Sequence, residues 1–386
     1  MNKLHLIILI GFLLRVIVAV WNGFWGPSFG ADLDALAFHD YAAQTARGES
    51  GDRDFLVGWV YAFILGKVYS ILGASLFLGS LLSCIAWCFS SLIILNIIKL
   101  LKIPKQNAIL ILGLYALLPG SILFTAVTLR EVYQMLFVNM IILCGLHLID
   151  RFRFRHWVLL LLSAVGAGML HSAIAAYAVL SMVSIYLTSF FFTGASKTYS
   201  FAFLLVVVLM TASLLSAIGL NMENGLAVAV STHRENILSG APDARADYSN
   251  EVNIAGLSDL VILFPYLVFQ YLFEPLPWKM SSALDLYVVA ENVLRLCLLA
   301  KAITIIRSNH PARSAYIFLF INYFLLEAIW ALGTSNWGTG LRHHLPMLGC
   351  LLIIGLGGRS ITVRRRRIVA SAVGFAIKNM SDKATS

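Results

Sequence analysis

The chain has 386 residues, of which 60% are hydrophobic and 12% are charged. Soluble globular domains carry about 25% charged residues, so this composition excludes one and indicates a polytopic membrane protein, whose outer face lipid solvates. The net charge of +9 does not indicate nucleic-acid binding. Much of the excess lies in one basic cluster after the last apolar segment, which is typical of an anchor on anionic lipid. The cluster consists of Arg359, Arg364, Arg365, Arg366 and Arg367.

The apolar segments predict an all-α bundle of about ten membrane spans. In chain order the predicted spans are residues 4–21, 75–98, 107–127, 132–149, 157–173, 174–194, 199–219, 284–306, 314–333 and 344–358. Two further apolar stretches, 55–72 and 257–273, are predicted to be re-entrant or interfacial helices, because a single crossing by either would move every later basic loop outside. The alternative that they cross, with a local failure of the charge rule, stays open.

The basic residues predict the orientation of the bundle. Connections rich in lysine and arginine are expected in the cytoplasm, and they contain Lys99, Lys102, Lys105, Arg151, Arg153, Arg155, Lys197, Arg307 and Arg313. With these and the N-terminus inside, residues 1–358 form a membrane domain and 359–386 a basic cytoplasmic tail. Acidic residues and histidines then gather in the outer connections 22–54, 119–131, 220–256 and 334–343, which predicts an outward-facing site. The alternative is that these are ordinary solvated loops, which is the simpler interpretation for 220–256.

The first outer loop is predicted to contain a short helix. No glycine or proline interrupts the chain from Asp34 to Arg47, so a helix beginning at Asp32 or Asp34 is expected. A carboxylate at this position can act as a general base, or it can cap the helix. The residues alone leave both interpretations open.

Charged residues also occur inside predicted spans, where they mark a polar cavity or an internal ion pair. Arg15 lies in the middle of the first span. Glu291 and Arg295 are four residues apart on one helix face and are expected to pair with each other. Glu327 is interpreted as a core acid bonded to a neighbouring helix, with a sugar-contacting role as the alternative.

Several motifs occur together in an order that resembles a known family. They are Arg15, then Asp34 through His39 with Ala42 and Gly48, then the Pro–Ser turn from Leu117 to Glu131, and Arg342 to Gly349 near the end. This order resembles the polytopic GT-C glycosyltransferases, which include the protein O-mannosyltransferases and the lipid A aminoarabinose transferase. The chain departs from the family at Phe38 and His343, where the family usually has tyrosine.

The resemblance implies roles for these residues. It implies Asp34 as the base that activates the acceptor hydroxyl, with Asp32 as the alternative. It also implies that a group of residues steadies the substrate and its lipid phosphate: His39, Arg130, Glu131, Arg342, His343 and His344. Cations there would stabilise the charge on the departing phosphate, although Arg342 could equally extend to the membrane interface.

The implied donor is a polyprenyl-phosphate-linked sugar and the implied acceptor a glycan or lipid, at the outer face of a bacterial cytoplasmic membrane. No cofactor is certain, and a divalent metal is possible. Two other functions stay open: a repeat-unit polymerase for O-antigen or exopolysaccharide, and a lipid-linked saccharide transporter or flippase. The last is disfavoured because no internal repeat is visible.

Overall fold

The structure is a computed structural model that describes residues 3–26, 32–49, 58–151, 153–192, 225, 230–231, 246, 248, 254, 256–308 and 310–358. The α-helices bounded within these ranges are α1 (Lys3–Trp25), α2 (Asp32–Ala46), α3 (Val60–Leu72), α4 (Leu76–Leu100), α5 (Lys105–Leu117), α6 (Pro119–Thr125), α7 (Glu131–Asp150), α8 (Phe154–Leu170), α9 (Ser172–Phe192), α10 (Leu257–Phe273), α11 (Ala283–Arg307), α12 (Arg313–Gly333), α13 (Trp337–His343) and α14 (Leu345–Leu356). No strand occurs in the described ranges, so the predicted all-helical class is confirmed there.

Between five and seven candidate membrane spans occur among the described residues, fewer than the ten predicted. Five helices are long and apolar enough to cross a bilayer by themselves: α1, α4, α7, α9 and α12. Two bent pairs, α5 with α6 and α13 with α14, each qualify if the pair counts as one span. The length and apolar character of these helices make the chain a membrane protein.

The missing spans have separate physical reasons. Helix α8 has 17 residues, which is at the lower limit for a crossing. Helix α11 has 25 residues, but Glu291, Arg295 and Lys301 interrupt its apolar surface. The predicted span 199–219 lies outside the described residues. The two stretches predicted as outer helices are the short apolar helices α3 and α10, and their position relative to a membrane stays a prediction.

Proline accounts for both bent pairs. Helices α5 and α6 meet at an angle of 52°. Leu118, which joins them, has an extended backbone (φ −59°, ψ 127°), as expected for the residue before a proline. Helices α13 and α14 meet at 66° around His344, and Pro346 in the first turn of α14 cannot continue the earlier helix. Both breaks leave backbone groups that other residues must satisfy.

Arg15 satisfies the polar groups that the α5–α6 bend leaves without partners. Its side chain is fully buried and donates to the Ala116 carbonyl at 2.9 Å, to Thr125 Oγ1 at 2.7 Å and to Ser121 Oγ at 2.8 Å. Its guanidinium also lies 3.6 Å from the centre of the Trp87 ring. All of these partners are neutral, so Arg15 stabilises the α5–α6 bend and stays out of the ion pairs described below.

The helix directions place Lys99, Arg151 and Arg313 at one end of the bundle. Lys99 lies in the last turn of α4, Arg151 follows α7 and Arg313 begins α12. The opposite ends of α4 and α7 meet the turn 126–130, where Thr128 Oγ1 lies 3.4 Å from the Leu76 carbonyl. Helix α12 likewise ends beside α13. These three residues, which the sequence placed in cytoplasmic connections, therefore share one end of the bundle, and the orientation itself stays a prediction.

Helices α2 and α3 form a hairpin that covers the less basic end. The buried face of α2 presents Ala35, Phe38 and Ala42 to α3, at the spacing of one helix face. The two helices approach closely at Gly66, where an added Cβ would lie 2.6 Å from Thr45 Cβ. Because this packing fixes the rotation of α2, Asp34 points towards the ends of α7 and α13.

Candidate functional site

Asp34 and Arg342 form an ion pair across 308 residues of sequence. Arg342 Nη1 lies 2.5 Å from Asp34 Oδ2. Asp34 is inside the first turn of α2, and its hydrogen bond goes to Arg342 rather than to a backbone amide, so the capping interpretation does not describe it. The Asp34 side chain is 52% exposed and that of Arg342 is 11% exposed. The pair thus has one accessible partner and one enclosed partner.

Glu131 approaches the same guanidinium from the start of α7. Its Oε1 lies 3.9 Å from Arg342 Nη1, and the residue is nearly buried. A carboxylate in the first helical turn is stabilised by the helix dipole. Two atoms here are buried and have no hydrogen-bond partner among the described residues: Glu131 Oε2 and Arg342 Nε. Arg342 therefore keeps a donor available for a further acceptor.

Arg130 precedes Glu131 and is held by backbone oxygens. Its Nη1 donates to the carbonyls of Gly58 at 3.3 Å and Leu170 at 3.4 Å, and its guanidinium lies 5.5 Å from the centre of the Phe38 ring. Gly58 has a φ of +95°, and an added Cβ would lie 2.4 Å from Arg130 Nη1. Glycine is required here for both backbone conformation and space.

These four residues form a charge-balanced group, which we call the Asp34 cluster: Asp34, Arg130, Glu131 and Arg342. Burial lowers the pKa of Arg130, whereas the charges of Glu131 and Asp34 oppose that shift and the charge of Arg342 adds to it. Arginine stays protonated, so two cations face two anions. An anionic ligand can bind here by replacing a carboxylate on Arg342, and Asp34 is the more exposed of the two.

His343 lies beside the cluster but faces a different group of side chains. Its ring stacks on Trp330 with centroids 3.8 Å apart and an interplanar angle of 14°. Its Nδ1 is 2.9 Å from Thr334 Oγ1. His171 completes this aromatic group, with its ring 4.7 Å from Trp330. The side chain of His343 is therefore part of an aromatic stack rather than a partner of Arg342.

His344 turns inwards to Glu327. Its Nδ1 lies 2.5 Å from Glu327 Oε2, and its ring centroid lies 4.4 Å from that of Tyr271. Glu327 is thus bonded to a neighbouring helix, in agreement with the expectation of a core acid. The predicted phosphate-binding role of His344 finds no geometric support, since its described contacts are in the protein interior.

His39 is also separate from the cluster. Its Nδ1 lies 3.0 Å from Tyr69 Oη, which donates to the Ser75 carbonyl at 2.8 Å. Burial lowers the pKa of His39, and the charge of Asp40 opposes that shift. His39 therefore joins α2 to α3, and the described contacts give it a structural partner. The side chain of Asp32, the alternative base, lies outside the described residues.

The expected ion pair between Glu291 and Arg295 is not formed. Arg295 Nη1 donates to the Leu272 carbonyl at 2.8 Å and to Asn292 Oδ1 at 2.6 Å. Glu291 accepts instead from the Tyr287 hydroxyl. Sequence spacing predicted the common face correctly, but α10 supplies a backbone acceptor that the local pattern could not reveal.

The sequence-derived candidates thus divide into two groups. The structure brings together Asp34, Arg130, Glu131 and Arg342, and it gives His39, His343 and His344 other partners. Sequence reasoning missed the stack with Trp330, because an aromatic residue in an apolar span carries no distinctive signal. The outer connection 220–256 lies mostly outside the described residues.

The described residues do not form a metal site. Among them, no group of three or more histidine, cysteine, aspartate or glutamate side chains is close enough together to hold a metal ion. Asp34 and Glu131 both approach Arg342, whose positive charge opposes a divalent cation at that position.

Comparisons with known proteins give no further guide: the chain matches no protein family, no curated protein and no solved structure with significance.

Proposed function

We propose that the protein is a membrane glycosyltransferase that moves a sugar from a polyprenyl-phosphate-linked donor to a glycan or lipid acceptor. The observation that carries this proposal is the Asp34 cluster itself. Residues from α2, the start of α7 and α13, far apart in sequence, converge as one accessible carboxylate beside two arginines. A base beside an anion site is the arrangement that transfer from a phosphate-linked donor requires.

The first step is an exchange of partners at Arg342. A donor phosphate would take the place of the Asp34 carboxylate on the guanidinium and use the free Nε–H as a second donor. Glu131 remains near Arg342 and keeps it oriented. Asp34, half exposed, is released towards the acceptor. Binding of the donor thereby frees the base.

The chemical step then follows with atoms and charges balanced. The acceptor oxygen forms a bond to the anomeric carbon, and the bond from that carbon to the phosphate oxygen breaks with its electron pair left on the phosphate. The acceptor proton passes to Asp34. Arg342 and Arg130 stabilise the negative charge that grows on the leaving phosphate.

The distribution of basic residues supports an outward-facing site. Arg151 and Arg313 lie at the helix ends opposite the cluster, and such residues favour the cytoplasmic side. With the resemblance, this favours a bacterial cytoplasmic membrane as the location we propose, with the cluster on the periplasmic or extracellular side. Labelling of single cysteines at Glu49 and Gln106 with an impermeant maleimide on intact cells tests this, and only the Glu49 position should react.

The direct test of the function is turnover by the purified protein in nanodiscs. A panel of polyprenyl-phosphate-linked hexoses is supplied with crude acceptor lipid and glycan, and release of polyprenyl phosphate is measured. We expect release that depends on both donor and acceptor. A glycan of increasing length as the product would instead indicate the repeat-unit polymerase. Failure of every donor to react or to bind would reject the proposal.

One observation favours a transporter as a second candidate. The bent pairs α5–α6 and α13–α14 border a polar cavity, and broken helices around a polar site are typical of transporters. Movement of a lipid-linked saccharide across proteoliposomes without cleavage of its phosphate bond would support this function over the transferase.

A further inference from the structure

A polar cavity lies between the two bent helix pairs and is separate from the Asp34 cluster. Its polar lining consists of Ser121, Glu291, Arg295, Tyr323, Glu327 and His344. The space accommodates about one water molecule, which is too little for a sugar. The occupant must therefore be very small, and the charges of the lining indicate which one.

Glu291 enters the cavity without an ion pair. Its Oε1 accepts from the Tyr287 hydroxyl, which itself accepts from the Gly120 amide at 2.6 Å. Arg295, one turn later on α11, directs its Nη1 to backbone and amide oxygens as described above. No lysine, arginine or histidine of the described residues lies within salt-bridge distance of Glu291. Its carboxyl group has a hydroxyl as its only described hydrogen-bond partner.

Glu327 differs because it has a basic partner. One oxygen lies 2.5 Å from His344 Nδ1. The other, Oε1, is buried and has no hydrogen-bond partner among the described residues, and the same is true of Arg295 Nε. The Glu327 side chain is only 1% exposed. Buried polar atoms of this kind are satisfied by a small polar partner, such as cavity water.

The fixed charges around the cavity do not balance. Two carboxyl groups, Glu291 and Glu327, face one guanidinium, that of Arg295. Arg15, on the far side of Ser121, is bonded to neutral acceptors around the α5–α6 bend. The remaining ionisable neighbours are His344 and three groups that are neutral when protonated: Tyr271, Tyr323 and Cys350. An unmatched charge at this depth costs several kcal/mol, so one additional proton is required for neutrality.

We propose that the polar cavity is a proton-binding site in which the carboxyl group of Glu291 holds one exchangeable proton delivered through cavity water. Glu291 is preferred over Glu327 and over His344, because these two are bonded to each other and a proton on either would leave the Glu291 carboxylate without a basic partner. The proton binds one carboxylate oxygen and leaves to water, with no redox change. Tyr287 joins Glu291 to Gly120 at the start of α6, and His344 lies at the α13–α14 bend. Loss of the proton would therefore place a negative charge between both bends.

The test uses two matched variants, Glu291→Gln and Glu327→Gln, which remove one carboxyl group each from the same cavity. Infrared difference spectra of the protein in nanodiscs at neutral pH report protonated carboxyl groups through their carbonyl stretching band. We expect the wild type to show a band that Glu291→Gln lacks. Glu327→Gln should lose the band too, because one carboxyl group then faces one guanidinium, so the control that assigns the band to Glu291 is Glu327→Asp, which keeps both carboxyl groups and should leave the band unshifted. Absence of the band in the wild type, or its persistence in Glu291→Gln, would overturn the proposal.

Thermal unfolding provides an independent measurement. The folded wild type holds a proton that the unfolded chain releases above the ordinary pKa of a carboxyl group, so its stability should fall as the pH rises from that range through neutrality towards the pKa of the folded site. Glu291→Gln should lose this dependence and keep its stability at neutral pH. If Glu291→Gln does not fold, Glu291→Asp, which keeps a carboxyl group, should shift the band without removing it; an unchanged band in Glu291→Asp would reject Glu291 as the proton-binding group.

Discussion

The Asp34 cluster and the polar cavity are neighbouring sites that differ in their balance of charges and in their exposure. Arg342 belongs to the cluster and His344 to the cavity lining, so residues only two positions apart serve the two sites. In the cluster two arginines face two carboxylates, and Asp34 is accessible. In the cavity two carboxyl groups face one arginine, and the space admits only a small occupant. Matched, accessible charges can exchange partners with an anionic ligand, whereas an unmatched enclosed carboxyl group is suited to a proton.

The contrast between the two sites depends most on Asp34 acting as a base rather than only as a structural partner of Arg342. We expect Asp34→Asn to lower turnover about 100-fold or more, since a carboxamide cannot accept the acceptor proton. The same variant should bind polyprenyl phosphate more tightly, because the competing carboxylate is gone. Both quantities are measured in nanodiscs.

Asp40→Asn is the matched control for Asp34→Asn. It removes the same charge from an exposed position of α2 and should leave both turnover and affinity unchanged. Wild-type turnover in Asp34→Asn would contradict the role of Asp34 as the base, and Asp32→Asn would then need the same measurement.

Arg342→Lys tests whether the cluster recognises phosphate by shape as well as by charge. Lysine keeps the positive charge but loses the planar fork and the Nε–H donor. We expect a loss of about 2–4 kcal/mol in transition-state stabilisation, the range for a preorganised donor. Turnover is compared with that of Arg47→Lys, an exposed arginine paired with Glu49, which should behave like wild type. Wild-type turnover in both Arg342→Lys and Arg342→Ala would place the phosphate elsewhere, and Arg130→Ala would then be measured.

Gly58→Ala tests whether the position of Arg130 matters. The new Cβ would lie 2.4 Å from Arg130 Nη1, so the guanidinium must move. Gly73→Ala is a matched control, because Gly73 also has a positive φ, of +89°, but nothing within 4 Å of the added Cβ. Both variants should lose stability by about 1 kcal/mol or more through backbone strain. Only Gly58→Ala should also reduce affinity for polyprenyl phosphate, and equal affinity in the two variants would exclude Arg130 from the site.

The sequence was sufficient for the broad fold and for half of the candidate site. Apolar runs identified most helices, and the residue types at Asp34, Arg130, Glu131 and Arg342 pointed to the group that the structure assembles. The sequence could not show the bend at His344, because Pro346 forbids a straight helix without fixing how it breaks. That bend turns His344 inwards to Glu327, whereas adjacent basic residues had suggested a common phosphate site.

Long-range acceptors explain the other failures. Arg295 prefers the Leu272 carbonyl, which α10 brings close, over the carboxylate four residues earlier in its own helix. Arg15 likewise bonds to the Ala116 carbonyl, which the break at Leu118 leaves available. For Arg295, a backbone oxygen freed at a helix end competes with the charged partner that sequence spacing suggests. For Arg15, for which spacing suggested no partner, such an oxygen is the acceptor. Such oxygens become visible only when the packing of the helices is known.

The smallest expected effect concerns His39, which the resemblance placed among the substrate-binding residues and the structure places against Tyr69. Burial lowers the pKa of His39 in the folded protein. At pH values below the ordinary histidine pKa, the unfolded chain therefore binds more protons than the folded one. Stability should therefore fall as the pH is lowered through that range. His39→Gln should remove this part of the dependence, measured as the thermal unfolding midpoint between neutral and mildly acid pH.

At neutral pH the loss of the hydrogen bond between His39 and Tyr69 should lower the free energy of unfolding by about 0.5–1.5 kcal/mol. Tyr69→Phe, which breaks the same bond from α3, should cost a similar amount. Turnover should be unchanged in both variants, and a large loss of turnover in His39→Gln alone would return His39 to the substrate site.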